Sequence, residues 1–429
     1  MKILGALTGY LVAAIAVGVP IAFALLFAGG ATSYLIGGTS TDPSIIATQL
    51  LRGTDSVSMM ALPFFILTGE IMNRGGLTKR LIGMFNVTIG RVRGGLGYVT
   101  ILATLLFGAL VGSAVASTAA LGAILIPMMV SAGYDRDKSA GLVAGTNLVV
   151  PIMPPSVPII VYGATAGVSI SQLFMGSIIP AFYLTVLMCL TWFFVSRKDA
   201  VKTDVPFPGM KKFAGMVGSG VWAILLPVII LVGLRSGVFT ATEAGVVAVV
   251  YALFIAIFVY REMKIPQMIE AFVASAKMSA VVMFLAATAQ VAGYYMTISG
   301  LPRVVTNLMG PLVDNPTMLV FVLMVFVFLL GLFLDVIPTI LILTPLMVPV
   351  LQEAGVDLVW FGIVFTLANV LGLITPPVGP SLNVASAVGK VKIEKVSITV
   401  LPYLLSQIVL VLIFILVPQV ITVPLGWLT

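Results

Sequence analysis

The residues best placed to do chemistry lie in Thr146-Asn-Leu-Val-Val-Pro-Ile-Met-Pro-Pro-Ser-Val-Pro158, where four prolines and an asparagine interrupt strongly apolar sequence. Proline has no backbone donor and its ring clashes with the preceding turn, so no regular helix runs through Pro151, Pro154, Pro155 and Pro158. Within a bilayer the freed carbonyls and amides need partners in protein, in a lined cavity or in a bound ion. Carbonyl oxygens suit hard cations such as sodium, and those over residues 150–153 and 372–375 would serve without any carboxylate. Half-helix N-termini beside such a break attract a carboxylate. The chemistry in view is the binding and movement of ions.

The pattern occurs twice. A constant shift of 222 positions carries Asn147 onto Asn369, Pro154 and Pro155 onto Pro376 and Pro377, Pro158 onto Pro380, and Gly167 onto Gly389. It also carries Pro127 onto Pro349, and Ala132, Gly133 and Asp135 onto Ala354, Gly355 and Asp357. Apolar chains match by accident at Leu and Val, whereas Asn, Pro-Pro, Gly and Asp at one offset mark an internal duplication. The polar stretch 112–118 then pairs with 334–340, which sets Ser113 opposite Asp335 and Ser117 opposite Thr339.

Hydroxyls at Ser113, Ser117, Thr339 and Thr375 add candidate ligands, although Ser and Thr in membrane helices commonly bond back to the helix or across to a neighbour. Asn147 and Asn369 either tie each hairpin to its broken helix or face substrate. Asp335, Glu70 and Lys277 are charges in apolar surroundings, which mark function in a membrane. Glu70 has Arg74 one turn on and reads equally well as half of a structural pair.

Composition bounds the class. Of the residues 60% are hydrophobic and 9% charged, with a mean hydropathy of +1.20. Soluble domains carry about 25% charge, so this is an integral membrane protein with nearly all of its length in the lipid bilayer. The net charge of +7 is spread over short loops and implies membrane orientation, with no nucleic-acid partner. The absence of histidine excludes histidine metal sites, Ser-His or Cys-His catalysis and histidine proton relays. The single cysteine, Cys189, has no intrachain disulfide partner and reads as helix packing. No organic cofactor is implied, and no metal beyond sodium. The N-terminal apolar segment is too long for a signal-peptide core and is expected to be retained.

These residues need elements to hold them. Residues 1–57 read as an N-terminal scaffold helix and connector, apolar from 3 to 38 except at Gly18-Val-Pro20; one long helix and two shorter arms both fit. The first repeat, 58–196, includes an amphipathic run over 79–93 that suits the membrane interface. Residues 96–130 are apolar around a polar centre, and each flank is too short for a span of about 20 residues. That predicts a re-entrant hairpin with its tip at 112–118, followed by a broken helix over 139–170 and a full span over 174–196.

Residues 197–276 hold the one hydrophilic loop, with Arg197, Lys198, Lys202, Lys211 and Lys212, and then scaffold helices over 215–234 and 244–260. The positive-inside rule puts that loop in the cytoplasm. The second repeat, 277–429, has its tip at 331–339, its broken helix at 361–389 and a last span at 399–418. The expected fold is an all-α polytopic membrane protein with two re-entrant hairpins and two broken helices. An inverted relation between the repeats follows from the physics of alternating access.

Four stretches together carry a family resemblance: Gly18-Val-Pro-Ile-Ala-Phe-Ala24, Leu62-Pro-Phe-Phe-Ile-Leu-Thr-Gly-Glu-Ile-Met72, residues 147–155, and Gly372-Leu-Ile-Thr-Pro-Pro-Val-Gly379. Over essentially its whole length the sequence resembles the large membrane subunit of tripartite ATP-independent periplasmic (TRAP) transporters. The resemblance implies a sodium-driven importer of organic acids in a bacterial or archaeal inner membrane. It implies two partners, a small four-helix membrane subunit and a periplasmic substrate-binding protein, and an elevator in which hairpins and broken helices slide against a scaffold.

The resemblance also places a sodium site at Gly331, Gly372, Thr375 and Val378, and the shift of 222 positions then nominates Ala109, Val150, Met153 and Ser156 for a first site. Substrate carboxylate is expected at the tips, among Ser113, Ser117, Asn147, Thr339 and Asn369. Because the chain begins directly at the large-subunit helix, the small subunit is expected to be a separate chain. C4-dicarboxylates, sialic acid, keto acids and ectoine-like compounds are all handled by related systems, so the acid itself is not legible.

A stand-alone sodium- or proton-coupled anion carrier with similar hairpins is the alternative, told apart by whether partner subunits are required. A channel would need a charged ring or a filter-like run. An intramembrane enzyme without histidine would need an aspartyl pair or a Ser-Lys dyad, and Asp335 has no evident mate. The chain reads as a transporter and not as an enzyme.

Overall fold

The computed structural model describes residues 2–37, 41–197 and 209–428, and among these all regular structure is helical. Gly18, with φ at 86°, and Pro20 split the first apolar stretch into α1 (Lys2–Ala16) and α2 (Ile21–Ile36). Asp42 opens α3 (Pro43–Thr54), its carboxylate accepting from the Ser44 amide at 2.9 Å with proline at the first helical position. There follow α4 (Ala61–Arg74), α5 (Leu77–Thr88), α6 (Gly95–Val111), α7 (Ala114–Ser131), α8 (Arg136–Thr146), α9 (Val157–Ala166) and α10 (Ile170–Ser196). Beyond the basic loop come α11 (Met210–Arg235), α12 (Ala241–Phe254) with a π-helical end over 255–259, α13 (Ile265–Ile298) and α14 (Leu301–Val313). The chain closes with α15 (Pro316–Gly331), α16 (Val336–Glu353), α17 (Leu358–Gly372), α18 (Pro380–Gly389), α19 (Ile393–Leu416) and α20 (Gln419–Leu428).

Much of the repeated sequence is helix punctuation. Gly133 and Gly355, with φ at 93° and 67°, stand two residues beyond the ends of α7 and α16. Asp135 and Asp357 then cap α8 and α17, accepting from the Lys138 amide at 2.9 Å and the Val359 amide at 2.7 Å. Gly167 ends α9 in the left-handed region at φ 70°, whereas at the matched position in the second stretch Lys390, with φ at 52°, takes over from Gly389.

Seven of the described helices are long and apolar enough to cross a bilayer, α7 and α16 among them. Length alone misleads for those two, because each folds straight back on the helix before it. Only Gly112 and Ser113 separate α6 from α7, and a Cβ on Gly112 would lie 3.0 Å from the Val157 amide nitrogen at the start of α9. Gly331, at the end of α15, lies against the Asn369 carbonyl of α17. Both turns are made beside a broken helix.

Around these hairpins, α13 packs along α2, α3 and α4, and α12 along α4. On the other side α15 packs on α17, α16 on α9, α18 on α7, and α19 on α8. The boundary set between 276 and 277 lies within α13, a single unbroken helix. One expectation needs correction. Lys277 is exposed instead of buried, because it shares an outward stripe of α13 with Val273 and Val281 one turn either side. Of the basic loop, Lys198, Lys202, Asp199 and Asp204 lie outside the described residues, while Arg93 donates to the Arg197 carbonyl at 2.6 Å and so sits at the loop's face.

Candidate functional site

The prolines decide which carbonyls are left open. A helix would pair the Val150 carbonyl with the amide four residues on, but that residue is Pro154, and Pro376 does the same to Gly372. Among the described residues the carbonyls of Val150 and Met153 accept no hydrogen bond, and neither does that of Thr375. The Gly372 carbonyl takes the Thr375 amide at 3.0 Å instead, which leaves it a second lone pair. Pro155 would orphan Pro151 in the same way, and the Ser156 hydroxyl donates to that carbonyl. Pro377 would orphan Leu373, whose carbonyl accepts the Ser381 amide at 3.0 Å. Both Pro-Pro peptide bonds, 154–155 and 376–377, are cis.

The hairpins bring more oxygens to these breaks. At the second, a Cβ on Gly372 would stand 2.4 Å from the Gly331 carbonyl carbon and 2.8 Å from its oxygen, so the two backbones touch. Thr375 is half-buried one turn past Leu371, to whose carbonyl its hydroxyl donates at 2.8 Å, and the Val378 carbonyl accepts from Asn383 Nδ2 at 2.7 Å. Gly331 and Gly372 thus meet at a backbone crossing, with Thr375 and Val378 following in the same broken stretch, and the four offer neutral oxygens only, the donor type that suits a hard monovalent cation. At the first break Ala109, Val150 and Ser156 are buried and Met153 half-buried. The close approach there is made by Gly108, where a Cβ would lie 2.9 Å from the Val150 Cα. Ala109, the residue matched to Gly331, is the next residue along α6.

The two asparagines differ. Asn147 is fully buried, accepts from the Ser117 hydroxyl at 2.5 Å and donates to the Val143 carbonyl at 2.6 Å, so it ties the first hairpin to its broken helix. Asn369 is equally buried, yet neither its Oδ1 nor its Nδ2 has a partner. Thr339, which stands where Ser117 does, turns back to the Asp335 carbonyl at 2.9 Å. The hydroxyl of Ser381 in α18 is likewise buried without a partner.

Ser113 caps α7, accepting from the Ala116 amide at 3.3 Å, and opens with Gly112 into a cavity of about 250 Å³. Val157 of α9 and Ile337 of α16 form one wall of that cavity, and Glu70 and Asn73 of α4 with Met278 and Val282 of α13 form the other. Glu70 belongs to a network that sequence reading saw only in part. Arg74 donates to it at 3.2 Å and to Glu270 of α13 at 2.7 Å, and Glu270 lies 196 positions further along the chain. Nothing in local spacing signals that second partner. Asn383, also missed, sits five residues past Val378, where an amide in a proline-broken stretch was the available hint.

The model of the family described as tripartite ATP-independent periplasmic transporter, DctM component, matches residues 8–420. The chain is 44% identical over 419 residues to the 2,3-diketo-L-gulonate TRAP transporter large permease protein YiaN of Escherichia coli K12, with 98% of each chain covered. It is 33% identical over 402 residues to the sialic acid TRAP transporter large permease protein SiaM of Vibrio cholerae, covering 94% of this chain and 93% of that one. Among solved structures it is similar to the crystal structure of the Alcanivorax borkumensis YdaH transporter, at 16% identity, a TM-score of 0.62 and 88% of each chain. A likeness at that identity concerns the fold alone.

Proposed function

This chain belongs to the DctM component family of tripartite ATP-independent periplasmic transporters, and from that premise we propose a sodium-coupled importer of an organic acid that works by elevator movement. A large permease of this family is a multi-pass membrane protein and a secondary transporter of organic acids, not an enzyme. The observation that supports the finer reading is the two sets of backbone oxygens at the proline breaks beside the hairpins, with the carbonyls of Val150 and Met153 open at the first and that of Thr375 at the second. Sodium fills those sets first and draws each tip onto its broken helix. The substrate carboxylate then meets the tip at Ser113, which in the arrangement seen here opens into the cavity shared with α4 and α13 from which the acid leaves. With the ion and acid charges balanced, the inverted pair of hairpins and broken helices, α6–α9 and α15–α18, crosses the low-dielectric barrier against the scaffold of α3, α4, α12 and α13.

The reading requires a small membrane subunit and a periplasmic substrate-binding protein, and it places the chain in a bacterial or archaeal inner membrane. The acids named for the two relatives, 2,3-diketo-L-gulonate and sialic acid, are the first to try. The test is uptake of each, radiolabelled, into proteoliposomes holding the chain with its small subunit, with purified binding protein outside. An inward sodium gradient is expected to drive accumulation that an equal potassium gradient does not. Sodium-driven uptake that proceeds at full rate without binding protein would replace this reading with a stand-alone anion carrier. Uptake indifferent to sodium would remove the coupling.

A further inference from the structure

The seam that holds the Ser113 cavity continues beyond it. Ile337 of α16 lines that cavity, and one turn along the same helix Leu341 begins the wall of a second one of about 180 Å³. The other walls step the same way, from Val282 to Ala286 and Gln290 on α13, and from Val157 to Thr165 on α9. Arg52 and Gly53, in the last turn of α3, and Ser56 just past it complete the second cavity. Two cavities therefore lie in series between the scaffold helices and the hairpin-bearing helices.

Hydrogen bonds fix which face each belongs to. The Tyr260 hydroxyl donates to the Ser219 carbonyl in the half of α11 that follows the basic loop. The Thr242 hydroxyl, at the other end of α12, donates to the Val57 carbonyl at 3.0 Å. The Arg52 cavity thus lies on the face opposite the basic loop, which the positive-inside rule makes the outer face. The Ser113 cavity, bounded by the C-terminal half of α4, lies nearer the cytoplasm.

The chemistry of the two cavities is opposite. Glu70 lines the inner one, and Arg74 beside it is held by two carboxylates. No acidic side chain lines the outer one, and Arg52 makes no ion pair or hydrogen bond among the described residues, not even with Asp55 three positions on. The Ser56 hydroxyl and the Gln290 amide join Arg52 in the lining, while Thr165 is already bonded to the Val161 carbonyl at 2.7 Å. Gly53 allows this arrangement: a Cβ there would stand 2.6 Å from the Ala287 Cα and 2.9 Å from the Gln290 Cβ, so only glycine lets α3 pack this closely on α13, with the exposed Arg52 beside it at the cavity's edge.

We propose that the outer cavity is a receiving site for an organic carboxylate on its way to the hairpin tips, with Arg52 as the binding cation and Gln290 as a flanking hydrogen-bond group. A planar guanidinium with free donors matches a carboxylate in two-point geometry. The inner cavity, with its carboxylate, favours release of the same anion. The identity of the ligand rests on the transport reading above; the site itself does not.

The test uses the full chain in proteoliposomes, with Cys189→Ser as background and Ser56→Cys as reporter. The reporter thiolate is converted to a mixed disulfide, with methanesulfinate leaving, by a negatively charged sulfonatoethyl methanethiosulfonate and, separately, by its positively charged trimethylammonium analogue. The rate ratio, anionic over cationic, is expected to fall about tenfold on adding Arg52→Gln, in line with local electrostatic steering. Succinate in the millimolar range is expected to slow the anionic reagent only while Arg52 is present. A reporter at Ser113→Cys is expected to keep its ratio when Arg52 is changed.

An unchanged ratio at Ser56→Cys, or no protection by succinate, overturns the site. So does an Arg52→Gln defect seen only when a binding protein is docked, which would make Arg52 a protein contact. Sodium-driven uptake measured on the same vesicles separates the two ideas. A normal ratio without sodium coupling sinks the transport reading alone, and sodium-driven uptake with no charge preference sinks the site alone.

Discussion

At the first break the protein satisfies its own polar groups, with Ser117 donating to Asn147, Asn147 to Val143, and Ser156 to Pro151. At the second break the matched Asn369 amide and the Ser381 hydroxyl are buried with no partner, and the tip carries Asp335 in place of Ser113. The Met153 and Thr375 carbonyls, at matched positions, are nonetheless both open, while of the two that Pro154 and Pro376 deprive of a helical donor, Val150 stays open and Gly372 takes the Thr375 amide. Backbone chemistry is therefore held in common while side-chain closure differs. An unpartnered buried amide costs about 1–3 kcal/mol, so the second break is the one with more to gain from whatever orders it.

The sharpest way to break the comparison is to move a side chain across it. Val150 is accommodated at the first crossing, but its counterpart Gly372 touches the Gly331 backbone, where a Cβ would sit at 2.4 Å and backbone cannot yield. Gly372→Val is expected to cost about 3 kcal/mol or more, seen as a large fall in melting temperature and loss of any sodium response. A variant that melts like wild type would mean the two crossings are interchangeable after all.

A smaller effect separates the asparagines. Asn147→Ala removes two made hydrogen bonds, whereas Asn369→Ala removes two unpartnered atoms from an equally buried site. In sodium-free buffer the first is expected to destabilise by about 1 kcal/mol more than the second. Equal losses in denaturant or heat would show that Asn369 is as well satisfied as Asn147. The smallest effect belongs to the first tip's neighbour. Glu70→Gln leaves Arg74 its 2.7 Å pair with Glu270, and with Glu70 about one-third exposed the change in stability is expected to stay under about 1 kcal/mol. A larger drop in melting temperature would make that ion network part of the scaffold's core.

The legible part of the molecule was its punctuation. Asp135 and Asp357 repeat because each caps a helix, Gly133 and Gly355 because each follows one in a left-handed turn, and Pro154 and Pro376 because each unpairs a carbonyl. These are local interactions, so one sequence holds them. What was not legible depends on register and distance. The Gly108 approach to Val150 depends on how two helices distant in sequence pack, which the spacing of residues does not report. Lys277 was misjudged because average hydropathy ignores which face of α13 a residue occupies. The Arg74–Glu270 pair and the two cavities in series come from helices that meet far from their sequence neighbours, and no spacing rule reports that.

The central claim is that these oxygen sets hold sodium. It is tested most directly by the melting temperature of the purified chain, with its small subunit, in sodium against equal potassium or choline, beside Thr375→Ala. A ligand that binds only the folded state raises its stability by mass action. The expected result is a sodium-specific rise in the wild type that Thr375→Ala reduces. Identical melting in all three salts for the wild type would contradict the claim and leave the broken helices with a different use.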